Sequence, residues 1–148
     1  MMDKGVSTEV APYILYAEDN PADSHFLLRA FGRDHPDQEL IHLENGQLVK
    51  EYLLQLLVKG APLPTLTVLD IKMPGLSGLE VLEFIRHHDR LYHLPVILLS
   101  ASEEERDLDR AYRSRVNAYL VKPGRYRQLR ELIGTIQQLW IRHNRVAV

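Results

Sequence analysis

Cysteine is absent from the chain. That excludes a disulfide framework, thiol catalysis and thiolate metal sites, and it fits a reducing cytoplasm. Nor is there any apolar run close to the ~20 residues a membrane-crossing helix needs. The opening stretch, Met1 to Pro12, is polar and carries acids, so it does not read as a signal peptide. There is also no excess of positive charge: 18 Lys and Arg face 20 Asp and Glu, for a net charge of -2. Without a positive field to gather phosphates, a general nucleic-acid role has no electrostatic support. The expectation is a cytoplasmic protein that partners neither nucleic acid nor membrane.

The 148 residues are 45% hydrophobic and 26% charged, enough for one globular domain with a real core. Residues 1–11 read as a flexible lead, 12–142 as the domain and 143–148 as a tail. Short apolar runs alternate with stretches of helical spacing. Pro12–Ala17, Glu39–Leu43, Leu66–Leu69, Pro95–Leu99 and Ala118–Val121 read as strands. Asn20-Pro21 starts a helix, Asn as cap and Pro in the first turn, with Phe26, Leu27, Ala30 and Phe31 on its apolar face. Further stripes are Val49, Tyr52, Leu53, Leu56 and Leu57; Val81, Leu82 and Ile85; and Leu108, Ala111 and Tyr112. Leu129, Leu132, Ile133, Ile136, Leu139 and Trp140 read as one long stripe. Five strands alternating with five helices imply an α/β fold, a parallel sheet covered on both faces with right-handed crossovers. Ligand sites in such sheets lie at the carboxyl ends of the strands.

Glu18, Asp19, Asp70, Ser100 and Lys122 stand at those ends. Acids brought together repel, and two remedies suit them. One is a hard divalent cation, satisfied by a carboxylate or two plus waters. The other is the fixed charge of Lys122. A carboxylate beside magnesium and a lysine is a competent nucleophile toward phosphorus, and a strand-end hydroxyl such as Ser100 can bond a phosphoryl oxygen.

Glu18-Asp19-Asn20-Pro21, Leu69-Asp70-Ile71-Lys72-Met73-Pro74-Gly75 with Gly78, Leu99-Ser100-Ala101 and Lys122-Pro123 follow one another at successive strand ends. Together they make the chain resemble the receiver domains of two-component signalling, over roughly Tyr13 to Arg142. The resemblance implies a doubly wound, flavodoxin-like sheet of order 2-1-3-4-5. It implies Asp70 as phosphoacceptor and Mg2+ as cofactor, bound by Asp19, Asp70 and the Lys72 backbone carbonyl, with Glu18 acting through water. Ser100 and Lys122 would hold the phosphoryl group. Ser100 and Tyr119 would form the switch, and small Ala101 would leave the phosphoryl group room. Lys122-Pro123 is similar to a bond that is usually cis in the family. The chain would be no enzyme in the ordinary sense, catalysing only its own phosphoryl transfer and slow loss.

A narrower likeness rests on Glu-Asp-Asn-Pro-Ala-Asp, the long second helix with its Pro-rich exit, His93-Leu94-Pro95 and the Gln-Leu-Trp end. These resemble the stand-alone regulators paired with bacterial phytochrome kinases. The resemblance thus implies a sensor histidine kinase as the input partner, by the narrower likeness a bacteriophytochrome, and an unknown downstream protein as the output. The chain ends soon after the last helix, which leaves the output to a protein contact. An apolar end at Trp140-Ile141 suggests a homodimer.

Lys72, two residues after the acceptor, and Ser102, two after Ser100, are expected to tune the dephosphorylation rate. Arg115-Val116 stands where the family commonly has Gly-Ala, read as a change of local packing. Asp23 and Asp89 read as surface or capping acids, and His87-His88 as a solvated helix end. The alternative function is a phosphorylation-independent pseudo-receiver that only binds partners. A dehalogenase-type phosphohydrolase would want Asp-x-Asp after the first strand. A flavodoxin-like cofactor carrier would want a Ser/Thr/Gly-rich phosphate loop there. Neither pattern is present.

Overall fold

A computed structural model describes residues 11–146; the expected flexible lead therefore falls almost wholly outside the described residues. The strands are β1 (Tyr13–Ala17), β2 (Glu39–Leu43), β3 (Leu66–Leu69), β4 (Val96–Ser100) and β5 (Ala118–Val121). All pair in parallel, in the order β2-β1-β3-β4-β5. The helices are α1 (Pro21–Asp34), α2 (Gly46–Lys59), α3 (Gly78–His87), α4 (Glu105–Arg113) and α5 (Tyr126–Ile136), the last running on into a π-helical segment, Gln137–His143. This is the doubly wound architecture expected from the alternation of strand and helix patterns.

Side chains alternate across the central strands, so each strand feeds two cores. Ile14, Tyr16, Leu66, Val68, Ile97 and Leu99 point to one face, against Leu27, Ala30 and Phe31 of α1 and Leu129, Ile133 and Ile136 of α5. Leu15, Ala17, Leu69, Val96 and Leu98 point to the other, against Val49 and Leu53 of α2, Val81, Leu82 and Ile85 of α3 and Ala111 of α4. Burial on both faces explains why β1, β3 and β4 read as continuous apolar runs. β2 and β5 lie at the sheet edges and are only partly buried.

Helix ends follow local chemistry. The Asn20 side chain accepts from the Ala22 and Asp23 N–H groups, capping α1. Ser77 and Glu80 form a reciprocal capping box on α3. Gly60 ends α2 in the left-handed conformation, φ 65°.

Several local expectations are corrected. Phe26 is not on the core face of α1: it is 46% exposed and lies by the Tyr126 ring, because the α1 contact with the sheet is centred on Leu27, Ala30 and Phe31. Tyr112 is exposed, and Ala111 is the one buried residue of α4. The last stripe does not run through: the π-helical turn holds more residues than an α turn, so Leu139 rotates out to 53% exposure, while Trp140 and Ile141 pack partly against the α1/α5 core. Arg115 does more than alter packing. It adopts a left-handed backbone, φ 62°, a conformation that costs a non-glycine residue about 1–2 kcal/mol.

Arg86 compensates at that point. It is 8% exposed, and its guanidinium donates to the carbonyls of Arg115, Tyr92 and Leu94 and to the Asn117 side chain. The fork thereby ties α3 to the turn before β4 and the turn before β5. Among the described residues no helix is long and apolar enough to cross a membrane.

Candidate functional site

Parallel pairing carries each candidate residue to the same end of the sheet. Ala17 lies beside Leu69 and Leu69 beside Leu98, while Ser100 lies beside Val121. The ladder continues one residue further. The Asp70 N–H donates to the Ala17 carbonyl at 3.1 Å and the Lys122 N–H to the Ser100 carbonyl at 2.9 Å. Glu18, Asp19, Asp70, Ser100 and Lys122 are therefore neighbours because the strands before them are in register.

Asp70 is 7% exposed. Its Oδ1 accepts from the Ile71 N–H at 2.9 Å, while Oδ2 lies 3.5 Å from Lys122 Nζ. The loop after it is set by Gly78, whose N–H donates to the Ile71 carbonyl. A Cβ at Gly78 would overlap the Asp70 carbonyl group, so a glycine is required for α3 to start this close to the end of β3. Lys72 is exposed.

Glu18 is buried, at 1% exposure. Its carboxylate accepts from Lys122 Nζ and, through Oε2, from the Asn20 N–H, and its backbone carbonyl accepts from His42 Nε2 at 2.9 Å. Burial pushes the Glu18 carboxyl up to about 7; the Asp70 charge adds to this and Lys122 opposes it. Lys122 moves up as well: burial works against its charge, but hydrogen bonds to Glu18 and Asp23 and the charge of Asp70 outweigh that.

Glu18, Asp19 and Asp70 each offer a carboxylate oxygen within 4.8 Å of the others. Oxygen donors at that spacing suit a hard divalent cation. The residues fit the expected cation.

Ser100 is buried, and its Oγ accepts from the Ser102 N–H at 3.2 Å. Ser102 Oγ donates to Asp107 Oδ2 at 2.7 Å, joining the loop to α4. Tyr119 is half-buried and its hydroxyl donates to the Ser102 carbonyl. Ser100, Ser102 and Tyr119 thus form one connected path from the site to α4 and β5.

Two expectations change here. Asp23 is not a mere surface or capping acid: its Oδ2 pairs with Lys122 Nζ at 3.0 Å. An acid in a helix's first turn gives no local sign of a partner 99 positions away, although it belongs to the Glu-Asp-Asn-Pro-Ala-Asp run already singled out. The Lys122-Pro123 bond is trans, as no cis bond occurs among the described residues; trans is the intrinsically favoured form even before proline. Asp89 and His87 are exposed as expected, and His88 is half-buried.

A doubly wound parallel sheet with an acidic cluster and a lysine at its carboxyl edge defines a class of α/β proteins whose site lies at the strand ends. The sequence profile of the response regulator receiver domain matches residues 14–134, and the chain belongs to that family. It is 33% identical to the response regulator Rcp1 of Synechocystis over 129 residues, 86% of this chain and 88% of Rcp1. It is 36% identical to FilR2 of Methanothrix harundinacea, described as a "Probable methanogenesis regulatory protein", over 89% of this chain and 85% of that one. The crystal structure of the phosphorylated cyanobacterial phytochrome response regulator RcpA superposes with a TM-score of 0.85 at 28% identity, covering 94% of this chain and all of that one. The Mn2+-bound form of Rcp1 gives 0.79 at 31% identity, over 93% and 99%. Receiver domains bind a divalent metal, and the acidic cluster is where this chain fits one.

Proposed function

We propose that the chain accepts a phosphoryl group on Asp70 from a sensor histidine kinase, with Mg2+, and signals by the change of shape that follows. The observation that carries this reading is the position of Asp70 Oδ2, 3.5 Å from Lys122 Nζ and inside the cluster with Glu18 and Asp19. Mg2+ would be held by Asp19, Asp70 and the Lys72 carbonyl, with Glu18 acting through water; when bound it supplies charge neutralisation at the transferring oxygens.

The protein's own groups do the rest. Asp70 Oδ1 is occupied by the Ile71 N–H, which orients the carboxylate and leaves Oδ2 toward Lys122. A bond from an Asp70 oxygen to phosphorus forms as the phosphorus–nitrogen bond to the kinase histidine breaks, its electron pair returning to the imidazole. Lys122 neutralises an equatorial oxygen, and the Ser100 hydroxyl, released from the Ser102 N–H, donates to another. As Ser100 moves, the Ser102 carbonyl that holds Tyr119 moves with it, and Tyr119 turns inward. Exposed Lys72 and buried Ser102 flank the path of water to the acyl phosphate and tune its lifetime. A Lys72→Asn variant with unchanged dephosphorylation would count against that role.

The likeness to Rcp1 and RcpA supports a phytochrome histidine kinase as the donor, and a cytoplasmic location follows from that partner. The downstream target is a protein that reads α4, β5 and α5. A second copy of the chain docks at the end of the last helix, where Leu139 is the exposed apolar residue; a monomeric mass by light scattering contradicts this. The test of the main reading is phosphotransfer from an autophosphorylated bacteriophytochrome kinase. Label is expected on the parent chain and not on Asp70→Asn. Label persisting on Asp70→Asn overturns Asp70 as acceptor.

A further inference from the structure

Lys122 does not face Asp70 alone. Its ammonium donates to Glu18 and to Asp23 Oδ2 at 3.0 Å, whereas Asp70 Oδ2 stands at 3.5 Å. The lysine side chain is 16% exposed and the Asp23 carboxylate 44%. Asp23 is not occupied in capping α1, since the Asn20 side chain already accepts from the Ala22 and Asp23 N–H groups. It is thus a carboxylate in the first turn of α1 aimed across the sheet edge at the phosphoryl-binding lysine.

We propose that Asp23 is a positioning residue that holds the Lys122 ammonium back from Asp70 until a phosphoryl group displaces it. The inference rests on the phosphoacceptor reading of Asp70 given above. An ammonium has only three donor hydrogens. One engages Glu18 and one Asp23, which leaves one, but Asp23 at 3.0 Å draws the ammonium closer than Asp70 Oδ2 at 3.5 Å, so a phosphoryl oxygen on Asp70 recruits Lys122 against the pull of Asp23. Asp23 also adds negative charge at the rim that an anionic phosphodonor has to cross. Both effects act in the same direction: Asp23 slows phosphoryl uptake and keeps the resting state unmodified.

The test uses the full chain, saturating magnesium and acetyl phosphate. In the reaction an Asp70 oxygen bonds phosphorus while the phosphorus–oxygen bond to acetate breaks and acetate leaves with the electron pair. Uptake is followed by intact mass over a series of ionic strengths. Asp23→Asn keeps size and shape while removing the charge, and Asp23→Glu keeps the charge. Asp23→Asn is expected to take up phosphoryl about fivefold faster at low salt, the scale of one half-exposed unit charge a few ångströms away. The acceleration should shrink as salt screens that charge, and Asp23→Glu should stay close to the parent. An active parent with Asp23→Asn no faster overturns the role of Asp23 alone. An acceleration indifferent to salt, or shared by Asp23→Glu, assigns the effect to packing and overturns it too. A parent that takes up nothing overturns the phosphoacceptor reading, and this inference with it.

Discussion

The Tyr119 hydroxyl donates to the Ser102 backbone carbonyl at 2.7 Å. That bond ties β5 to the loop between β4 and α4, and the same loop reaches the site through the Ser102 N–H on Ser100 Oγ. A shift of Ser100 toward a phosphoryl group, as proposed, would therefore act on Tyr119 through one intervening residue. Tyr119→Phe is expected to cost about 1 kcal/mol in the unmodified protein, the net worth of one hydrogen bond. In the beryllofluoride-loaded protein, where the proposed switch would have released the bond, the loss should be smaller. Urea unfolding of both variants in both states checks this, and equal losses contradict the switch.

Glu18 makes stability depend on pH in a definite direction. Its folded carboxyl is pushed up to about 7 from 4.5, so the folded state holds the proton more tightly than the unfolded chain. The contribution is fully present below the unfolded value and is lost as pH rises through the folded one, on the order of 3 kcal/mol by linkage. Metal-free protein should lose stability across this window, and Glu18→Gln should lose the slope. Added magnesium should raise the melting temperature more at about pH 8 than at about pH 6, since binding favours the ionised carboxylate. A pH-independent magnesium effect contradicts Glu18 as part of the cation site.

Gly78→Ala is expected to impair the site from a distance. The added methyl would overlap the Asp70 carbonyl group, so the loop after Asp70 or the start of α3 must move. The expected cost is about 1–3 kcal/mol, as for other overpacked positions, with slower phosphoryl uptake from the displaced Asp70. Denaturant unfolding and uptake kinetics on the same variant test it; normal values for both contradict the close approach.

Arg86→Met should be one of the most destabilising changes outside the site. The guanidinium satisfies the carbonyls of Tyr92, Leu94 and Arg115 and the Asn117 side chain. Leaving such buried acceptors unpaired costs about 1–3 kcal/mol. A change within about 0.5 kcal/mol, as at an ordinary surface position, would show that the fork carries no stability.

Most of the architecture was legible because the patterns were local. The apolar runs before Glu18, Asp70 and Ser100 mark β1, β3 and β4, and Asn20-Pro21 marks the start of α1. Once strands and helices alternate, the sheet-end position of Asp70, Ser100 and Lys122 follows from their place in the chain. What stayed hidden depends on contacts distant in sequence. Asp23 looks like any first-turn acid until α1 is docked beside Lys122. Arg86 looks like a solvated charge near a helix end, because its partners are mostly backbone carbonyls that carry no side-chain signature. Leu139 fits the helical stripe, and only the π-helical segment that contains it, Gln137–His143, rotates it outward.

Phosphoryl uptake at Asp70 tests the central claim most directly. The protein and its Asp70→Asn variant are incubated with magnesium and acetyl phosphate and read by intact mass at neutral pH. The predicted result is addition of one phosphoryl group to the parent, dependent on magnesium and absent from Asp70→Asn. No addition to the parent in the presence of magnesium, or an equal addition to Asp70→Asn, would contradict it.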